Sequence, residues 1–219
     1  MPTELKNKTA ILFDLDGTLS DNSKGILEGV RRSLQHAGVP IPPDGEMWRF
    51  IGPPLDRAFI EICGMSESEA DAAVLYYREY YRSVGIFENV MYDGVPEMLK
   101  TLRESGRHLF VATSKPEEFS RRILEHFGID RYFTFIGGAT FDESRERKPD
   151  VIRYVMDTCG LECADTAMVG DRMYDIEGAA ECGITPVGVL YGFGSRDELE
   201  RAGAAAIAET VADIPKLFI

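Results

Sequence analysis

The chain has 219 residues, of which 44% are apolar and 28% charged, a composition typical of a globular protein with a sizeable core. Its 37 acidic residues outnumber 24 basic ones, and the formal net charge of −13 argues against a generally basic nucleic-acid-binding surface. We find no signal-peptide pattern and no run approaching the ~20 apolar residues that cross a bilayer, so we expect a cytoplasmic protein without membrane contact.

The first predicted elements are a strand and a helix. A short apolar strand is expected at residues 9–13. Apolar residues then recur at helical spacing over residues 26–37, which predicts an amphipathic helix with Ser23 as its N-cap and Gly38 as its end. The sequence after the first strand is therefore not the single crossover helix expected in a simple parallel sheet.

More helical sequence follows. Residues 48–63 are apolar and expected to be partly helical, with a break at Gly52-Pro53-Pro54. Ser66 and Glu69 form a capping-box pattern that opens another helix, which we expect to end near Gly85. About 70 residues that favour helices therefore separate the first strand from the rest of the chain, which indicates an inserted helical region.

After residue 92, apolar strands alternate with helices. Strands are predicted at residues 108–112, 133–136, 166–169 and 185–190 and near residue 206, with helices at residues 116–127, 149–159 and 195–202, another ending near residue 183, and a last one at the end of the chain. This alternation predicts a Rossmann-like α/β core with a parallel sheet and helices on both faces. We expect residues 1–20 and 92–219 to form that core and residues 21–91 to form an α-helical cap.

Polar clusters follow several of the predicted strands. The clusters are Asp14 and Asp16, Thr113-Ser114-Lys115, the region of Lys148, and Gly170-Asp171 with Asp175. Ligands of open parallel sheets bind outside the carboxyl ends of the strands, so we expect these clusters to share one crevice.

Four aspartates in one crevice require a cation. Carboxylates repel one another unless positive charge balances them, and an all-oxygen ligand set without a nearby histidine favours Mg²⁺ over zinc. Mg²⁺ would take a carboxylate oxygen of Asp14, the main-chain carbonyl of Asp16 and a carboxylate oxygen of Asp171, while Asp175 would orient its water ligands.

The remaining groups then suit phosphoryl transfer. Asp14 would attack phosphorus and form an aspartyl-phosphate, while Asp16 would protonate the leaving group and later deprotonate water. Thr113 would bind the phosphate through its hydroxyl, and Lys148 would neutralise charge shared by nucleophile and phosphate. Other expected phosphate contacts are the backbone N–H groups near Leu15 and Ser114, and the side chain of Lys115.

This set of motifs resembles the phosphatase branch of the haloacid dehalogenase superfamily. The matching motifs are D-x-D-G-T at residues 14–18, Thr113 at a strand end, Lys148 at a helix start, and G-D-x-x-x-D at residues 170–175. The segments "ATSKP", "GDRMYDIEGA" and "VLYGFGS" are most similar to the phosphoglycolate phosphatase-like subgroup, which has a small helical cap between its first two motifs. The lysine motif departs from the usual K-P-x-P, since Lys148 is followed by Pro-Asp-Val and preceded by Arg147.

The resemblance implies a Mg²⁺-dependent phosphatase. Its expected substrate is a small soluble phosphate monoester such as phosphoglycolate or a nucleoside monophosphate, and no nucleic-acid polymer is expected as a partner. The cap would set specificity, with Arg49 as the candidate for an anionic leaving group. A phosphomutase with the same core and a non-enzymatic phospho-ligand binding module remain as alternatives, and the sequence gives no oligomeric state.

Overall fold

We describe the protein from a computed structural model that covers residues 2–52, 54–142 and 144–219, with side chains from residue 4 onward. Pro53, which belongs to the predicted chain break, lies outside the described residues. The chain divides into two compact units: a core unit, Met1–Asp21 with Met91–Ile219, and a helical unit, Asn22–Val90. Among the described residues, no helix has both the length and the apolar character needed to cross a membrane.

The core unit is built on a parallel sheet. In chain order the strands are β1 Ala10–Phe13, β2 Ser20–Asp21, β3 Val90–Met91, β4 His108–Pro116, β5 Phe133–Ala139, β6 Thr166–Gly170, β7 Thr185–Val189 and β8 Ala206–Ala208. Six of them form the main sheet in the order β5-β4-β1-β6-β7-β8, and all adjacent pairs run parallel. The four residues of β1 are buried on both faces because the strand lies inside this sheet, so the predicted α/β fold is confirmed.

Helices pack around this sheet. They are α1 Pro2–Leu5, α6 Val95–Glu104, α7 Glu117–Phe127, α8 Lys148–Cys159, α9 Met173–Glu181, α10 Arg196–Ala202 and α11 Ile214–Phe218. Leu12 of β1, Phe110 of β4 and Met168 of β6 share an apolar cluster with Val151 and Val155 of α8. Burial of such side chains contributes about 1.5–3 kcal/mol each, which fixes α8, and with it the side chain at its first position, against the sheet.

One helix and one strand boundary in the core unit differ from the sequence prediction. Helix α6 was not predicted, although Val95, Met98, Leu99 and Leu102 are buried at helical spacing. Strand β4 was predicted to end at residue 112 but continues to Pro116, because Thr113 pairs with Gly138 and Pro116 with Ala139 of β5. The Thr113-Ser114-Lys115 cluster therefore lies in the last part of a strand and not in the loop after it.

The helical unit contains α2 Ser23–Ala37, α3 Asp44–Met47, α4 Leu55–Cys63 and α5 Glu67–Ser83. The predicted capping box of Ser66 and Glu69 is present at the start of α5. The predicted N-cap of α2 is wrong: the helix begins at Ser23, and Asn22 occupies the cap position because its carbonyl accepts the first helical hydrogen bond, from the N–H of Ile26. Helix α2 packs on α5 where Gly29 leaves room for the ring of Tyr77.

Candidate active site

The register of three neighbouring strands brings the predicted site residues to one edge of the sheet. Strand β1 lies between β4 and β6, and Phe13 is level with Val111 on one side and Val169 on the other. Parallel strands in register end together, so Asp14 after β1 and Asp171 after β6 both lie at the carboxyl edge.

Lys148 is buried among the carboxylates. Its Nζ lies 2.8 Å from Asp14 Oδ1 and 2.7 Å from Asp175 Oδ1, and it donates a 3.2 Å hydrogen bond to the carbonyl of Ala112. Gly178 leaves space for the lysine stem, since a Cβ at that position would lie 2.9 Å from Lys148 Cγ. Burial lowers the pKa of Lys148, but attraction to the two carboxylates outweighs burial and raises it overall, so the ammonium stays charged.

The neighbouring Arg147 occupies a different environment. Its side chain is 67% exposed and pairs with Glu181 at 3.2 Å, whereas the Lys148 side chain is 5% exposed. Of these two neighbours, Lys148 is therefore the one that faces the carboxylates at the strand ends. This geometry supports Lys148 over Arg147 as the charge-neutralising group, despite the departure of its motif from the usual pattern.

The G-D-x-x-x-D motif has a packing explanation. Asp175 is the third residue of α9, and its Oδ2 accepts a 3.0 Å hydrogen bond from the N–H of Arg172 at the cap position. A Cβ at Gly170 would overlap the carboxylate of Asp175, so this spacing requires glycine at the end of β6. Burial raises the pKa of Asp175 and attraction to Lys148 only partly offsets it.

Asp171 is fully buried and held from two sides. Its Oδ2 accepts a 2.8 Å hydrogen bond from the N–H of Phe193, and Thr18 Oγ1 lies 3.4 Å from its Oδ1. Burial, together with repulsion from Asp175 and Asp14, raises the pKa of Asp171 well above its ordinary value. In the absence of further positive charge, this carboxylate therefore tends to take up a proton.

The donor set fits a hard divalent cation. Asp14, Asp171 and Asp175 each offer a carboxylate oxygen, and these three atoms lie within 4.8 Å of one another. The ammonium of Lys148 pairs with Asp14 and Asp175, so the three carboxylates outnumber it in a buried place. Oxygen-only ligands suit Mg²⁺ or Ca²⁺ better than zinc, and a bound cation would remove the repulsion that raises the pKa of Asp171.

Asp16 is paired with Lys115. The Nζ of Lys115 lies 2.5 Å from Asp16 Oδ2, and the backbone N–H of Lys115 donates a 3.2 Å hydrogen bond to Oγ1 of the buried Thr113. Burial raises the pKa of Asp16, and the attraction of Lys115 only partly offsets it. A raised pKa favours the protonated form of the carboxyl group, which is the form that a general acid needs.

The other predicted residues are placed less tightly. Leu15 is buried beside the two aspartates in sequence, and the side chain of Ser114 is exposed at the end of β4. Arg49 belongs to the helical unit, where its side chain is 58% exposed and its NH1 lies 3.9 Å from Glu46 Oε2. Exposed pairs at this distance contribute little to stability, so Arg49 is available for another partner.

Sequence reasoning assigned no role to the residues that hold Asp171, although they lie in the D-x-D-G-T motif and in the segment "VLYGFGS". These are the backbone N–H of Phe193, the hydroxyl of Thr18 and the ring of Tyr191, whose hydroxyl donates a 3.0 Å hydrogen bond to the carbonyl of Thr18. The two glycines on either side of Phe193 were the available signal, because repeated glycine after a strand indicates a close approach of backbone to another group.

Comparison with known proteins agrees with this geometry. The family model described as haloacid dehalogenase-like hydrolase matches residues 11–189. The chain belongs to this family. The family predicted from the four motifs is therefore confirmed, over a segment that begins in β1 and ends at the last residue of β7.

Several known proteins are similar to this chain over two thirds or more of their own length. A 5'-nucleotidase of Pseudomonas aeruginosa is 46% identical over 189 residues, which cover 86% of each chain. The tyrosine-protein kinase PtkA of Mycobacterium tuberculosis is 39% identical over 90% of this chain and 67% of its own, and a phosphoglycolate phosphatase of Cupriavidus necator is 29% identical over 96% and 93%. The crystal structure of a "predicted phosphatase" from Clostridium acetobutylicum matches with a TM-score of 0.89 and 42% identity, covering 95% of this chain and 97% of that one. The phosphatases among these relatives agree with the predicted enzyme class, a phosphoric monoester hydrolase.

Proposed function

We propose that this haloacid dehalogenase-like hydrolase is a magnesium-dependent phosphatase that forms an aspartyl-phosphate on Asp14. The observation that carries the proposal is the position of Asp14 at the carboxyl end of β1, 2.8 Å from the buried ammonium of Lys148 and inside the carboxylate cluster with Asp171 and Asp175. A nucleophilic carboxylate needs a neighbouring positive charge as it approaches an anionic phosphate, and this arrangement provides one.

The reaction takes place in two steps. A carboxylate oxygen of Asp14 attacks phosphorus, the ester P–O bond breaks, and Asp16 gives its proton to the departing oxygen. Asp16 then takes a proton from a water molecule whose oxygen attacks phosphorus, and the bond to Asp14 breaks to release inorganic phosphate. Lys115 holds the Asp16 carboxyl in place between the two steps.

Phosphate binding is assigned to groups around Asp14. The hydroxyl of Thr113, the backbone N–H groups near Leu15 and Ser114, and the ammonium of Lys148 would contact the phosphate oxygens. The main role that we assign to Lys115 is to hold Asp16 for the acid–base step, since the two side chains form an ion pair. A contact with the phosphate would be a second role. All of these groups recognise only the phosphate, so they do not distinguish one ester from another.

The metal site is assigned to three aspartates. Asp14 and Asp171 through their carboxylates, and Asp16 through its main-chain carbonyl, would hold Mg²⁺, and Asp175 would orient the water ligands. When bound, Mg²⁺ supplies positive charge that stabilises the transferring phosphoryl group. The raised pKa of the buried Asp171 supports this assignment, because a nearby cation keeps such a carboxylate ionised.

Substrate choice is assigned to the helical unit, which we propose acts as the cap. The domain division in this proposal is a catalytic core of residues 1–20 and 92–219 and a cap of residues 21–91. The substrates that we expect are phosphoglycolate or nucleoside monophosphates, with Arg49 contacting an anionic leaving group, in a cytoplasmic protein. The named activities of the Pseudomonas and Cupriavidus relatives support these two substrate classes.

Metal removal tests the proposal. Exhaustive treatment with EDTA should abolish hydrolysis of p-nitrophenyl phosphate, and excess Mg²⁺ should restore it. Ca²⁺ should not replace Mg²⁺, because its larger and looser coordination shell misplaces the reacting atoms. Full activity after chelation would refute the magnesium assignment.

The same assay on a panel of phosphate esters would identify the substrate class, and conversion of a hexose 1-phosphate to its 6-phosphate would favour the phosphomutase instead.

The acid role of Asp16 depends on the leaving group. Asp16→Asn should lower kcat by about 100-fold or more for alkyl phosphates, since general acid catalysis typically contributes 10²–10⁴-fold. Hydrolysis of p-nitrophenyl phosphate should fall much less, because p-nitrophenolate leaves without a proton. The measurement is the ratio of kcat for an alkyl phosphate to kcat for p-nitrophenyl phosphate, taken on one enzyme preparation. Each substrate is then the control for the other. Equal losses on both, with formation of the phosphoenzyme rate-limiting, would contradict an acid role.

A further inference from the structure

The loop after β7 packs on Asp171. In the sheet, β7 lies beside β6, and Gly188 of β7 is level with Gly170 of β6. Residues that follow Val189 therefore run next to the residue that follows Gly170, which is Asp171. We call residues 191–194 (Tyr-Gly-Phe-Gly) the Asp171 clamp.

Two glycines of the clamp leave space only for hydrogen where they meet Asp171. A Cβ at Gly192 would lie 2.7 Å from Asp171 Cγ and would also overlap the carbonyl oxygen of Gly17. A Cβ at Gly194 would overlap the carbonyl oxygen of Asp171 itself. Neither clamp glycine has a positive φ, so close packing and not backbone conformation requires glycine at these positions.

Hydrogen bonds from the clamp fix the carboxylate. The backbone N–H of Phe193 donates to Asp171 Oδ2 at 2.8 Å. The hydroxyl of Tyr191 donates at 3.0 Å to the carbonyl of Thr18, whose own Oγ1 lies 3.4 Å from Asp171 Oδ1. The clamp thus holds Oδ2 of Asp171 directly. It holds Oδ1 indirectly, through Thr18.

The phenol of Tyr191 is suited to this task. A tyrosine hydroxyl has an ordinary pKa of about 10, so it carries its proton and acts as a donor at physiological pH. Its ring packs edge-to-face on Tyr92, with centroids 5.1 Å apart, and Tyr92 N–H donates to the carbonyl of Leu19. The ring is therefore anchored independently of its hydroxyl.

We propose that Tyr191 is a positioning residue that, with the rest of the clamp, fixes the Asp171 carboxylate in the orientation required for Mg²⁺. The inference rests on the proposed metal site and extends it to residues of the segment "VLYGFGS", to which the sequence analysis assigned no role. Mg²⁺ demands near-ideal octahedral geometry, and a carboxylate that turns freely loses part of its binding energy in becoming ordered. Removing partners that orient metal ligands typically weakens metal binding by 10–100-fold.

The test measures the dissociation constant for Mg²⁺ by isothermal titration calorimetry, without substrate. Tyr191→Phe keeps the ring and removes only the hydroxyl, and it should weaken Mg²⁺ binding by about tenfold. Asp171→Asn is the reference for loss of a ligand and should weaken binding further. Tyr154→Phe is the matched control: the Tyr154 ring packs on Phe135 and Arg145, so loss of its hydroxyl should leave the dissociation constant unchanged.

A second variant tests the packing. Gly192→Ala should also weaken Mg²⁺ binding, whereas Gly45→Ala, at a position with open space around it, should not. If Gly192→Ala does not fold, as circular dichroism would show, Tyr191→Phe alone decides. A folded Tyr191→Phe protein that binds Mg²⁺ as tightly as the wild type overturns the clamp and leaves the proposed function intact. A wild-type protein that binds no Mg²⁺ overturns both.

Discussion

Asp14→Asn should lower kcat by about three orders of magnitude or more, because loss of a nucleophile removes the covalent route entirely. The fold should survive, since an amide has the shape of a carboxylate and its oxygen still accepts from Lys148, 2.8 Å from Asp14 Oδ1. Steady-state hydrolysis of p-nitrophenyl phosphate measures the effect, and circular dichroism shows that the variant is folded. Asp157→Asn, which changes an exposed carboxylate on α8, is the matched control and should keep wild-type kcat.

A chemical trap distinguishes a nucleophile from a metal ligand, because Asp14 is assigned both roles. Sodium borohydride reduces an acyl phosphate to an alcohol, so quenching wild-type enzyme during turnover should convert Asp14 to homoserine. Peptide mass spectrometry would locate the change, and Asp14→Asn should show none. Reduction of a different carboxylate residue in place of Asp14, or a kcat of Asp14→Asn within tenfold of wild type, would contradict the assignment.

The sheet was predictable because its signals are local. The four residues of β1 are apolar and end at Asp14, and that pattern alone places a buried strand beside a polar edge. The missed helix α6 carried the same kind of signal, with Val95, Met98 and Leu102 at helical spacing and a proline in its first turn. The end of β4 carried no local signal, since its last residues are in the sheet only through pairing with β5.

The candidate site also combines residues that local sequence signals predict with contacts that they do not. The motifs identified Asp14, Asp171 and Lys148 because each follows a strand or starts a helix, and strand register then brings them together. The ion pair between Asp16 and Lys115 joins residues 99 positions apart, and the bond from Tyr191 to Thr18 spans 173. No periodicity or spacing in the sequence indicates such contacts, because they depend on how segments that are far apart in the sequence pack together in the folded chain.

Lys148→Met should lower kcat by about 1,000-fold, since the ammonium lies beside the nucleophile in a buried place where lost electrostatic stabilisation costs most. Removing one partner of a buried ion pair typically costs 3–5 kcal/mol, so the free energy of unfolding without metal should fall by about 3 kcal/mol. Arg147→Met is the matched control. The Arg147 side chain is 67% exposed and pairs with Glu181, so both kcat and stability should stay close to wild type.

The loss of unfolding free energy in Lys148→Met should be smaller when Mg²⁺ is added. This result would show that unbalanced charge on the buried carboxylates causes the loss. In Lys148→Met the buried carboxylates of Asp14 and Asp175 face no ammonium, and a cation bound among them replaces part of the missing charge. The added Mg²⁺ should not restore activity, because a cation in the metal site does not replace the ammonium of Lys148 beside Asp14. Urea unfolding with and without Mg²⁺ measures the first effect, and kcat at saturating Mg²⁺ the second. Recovery of activity by metal alone would show that Lys148 serves only to neutralise the empty site.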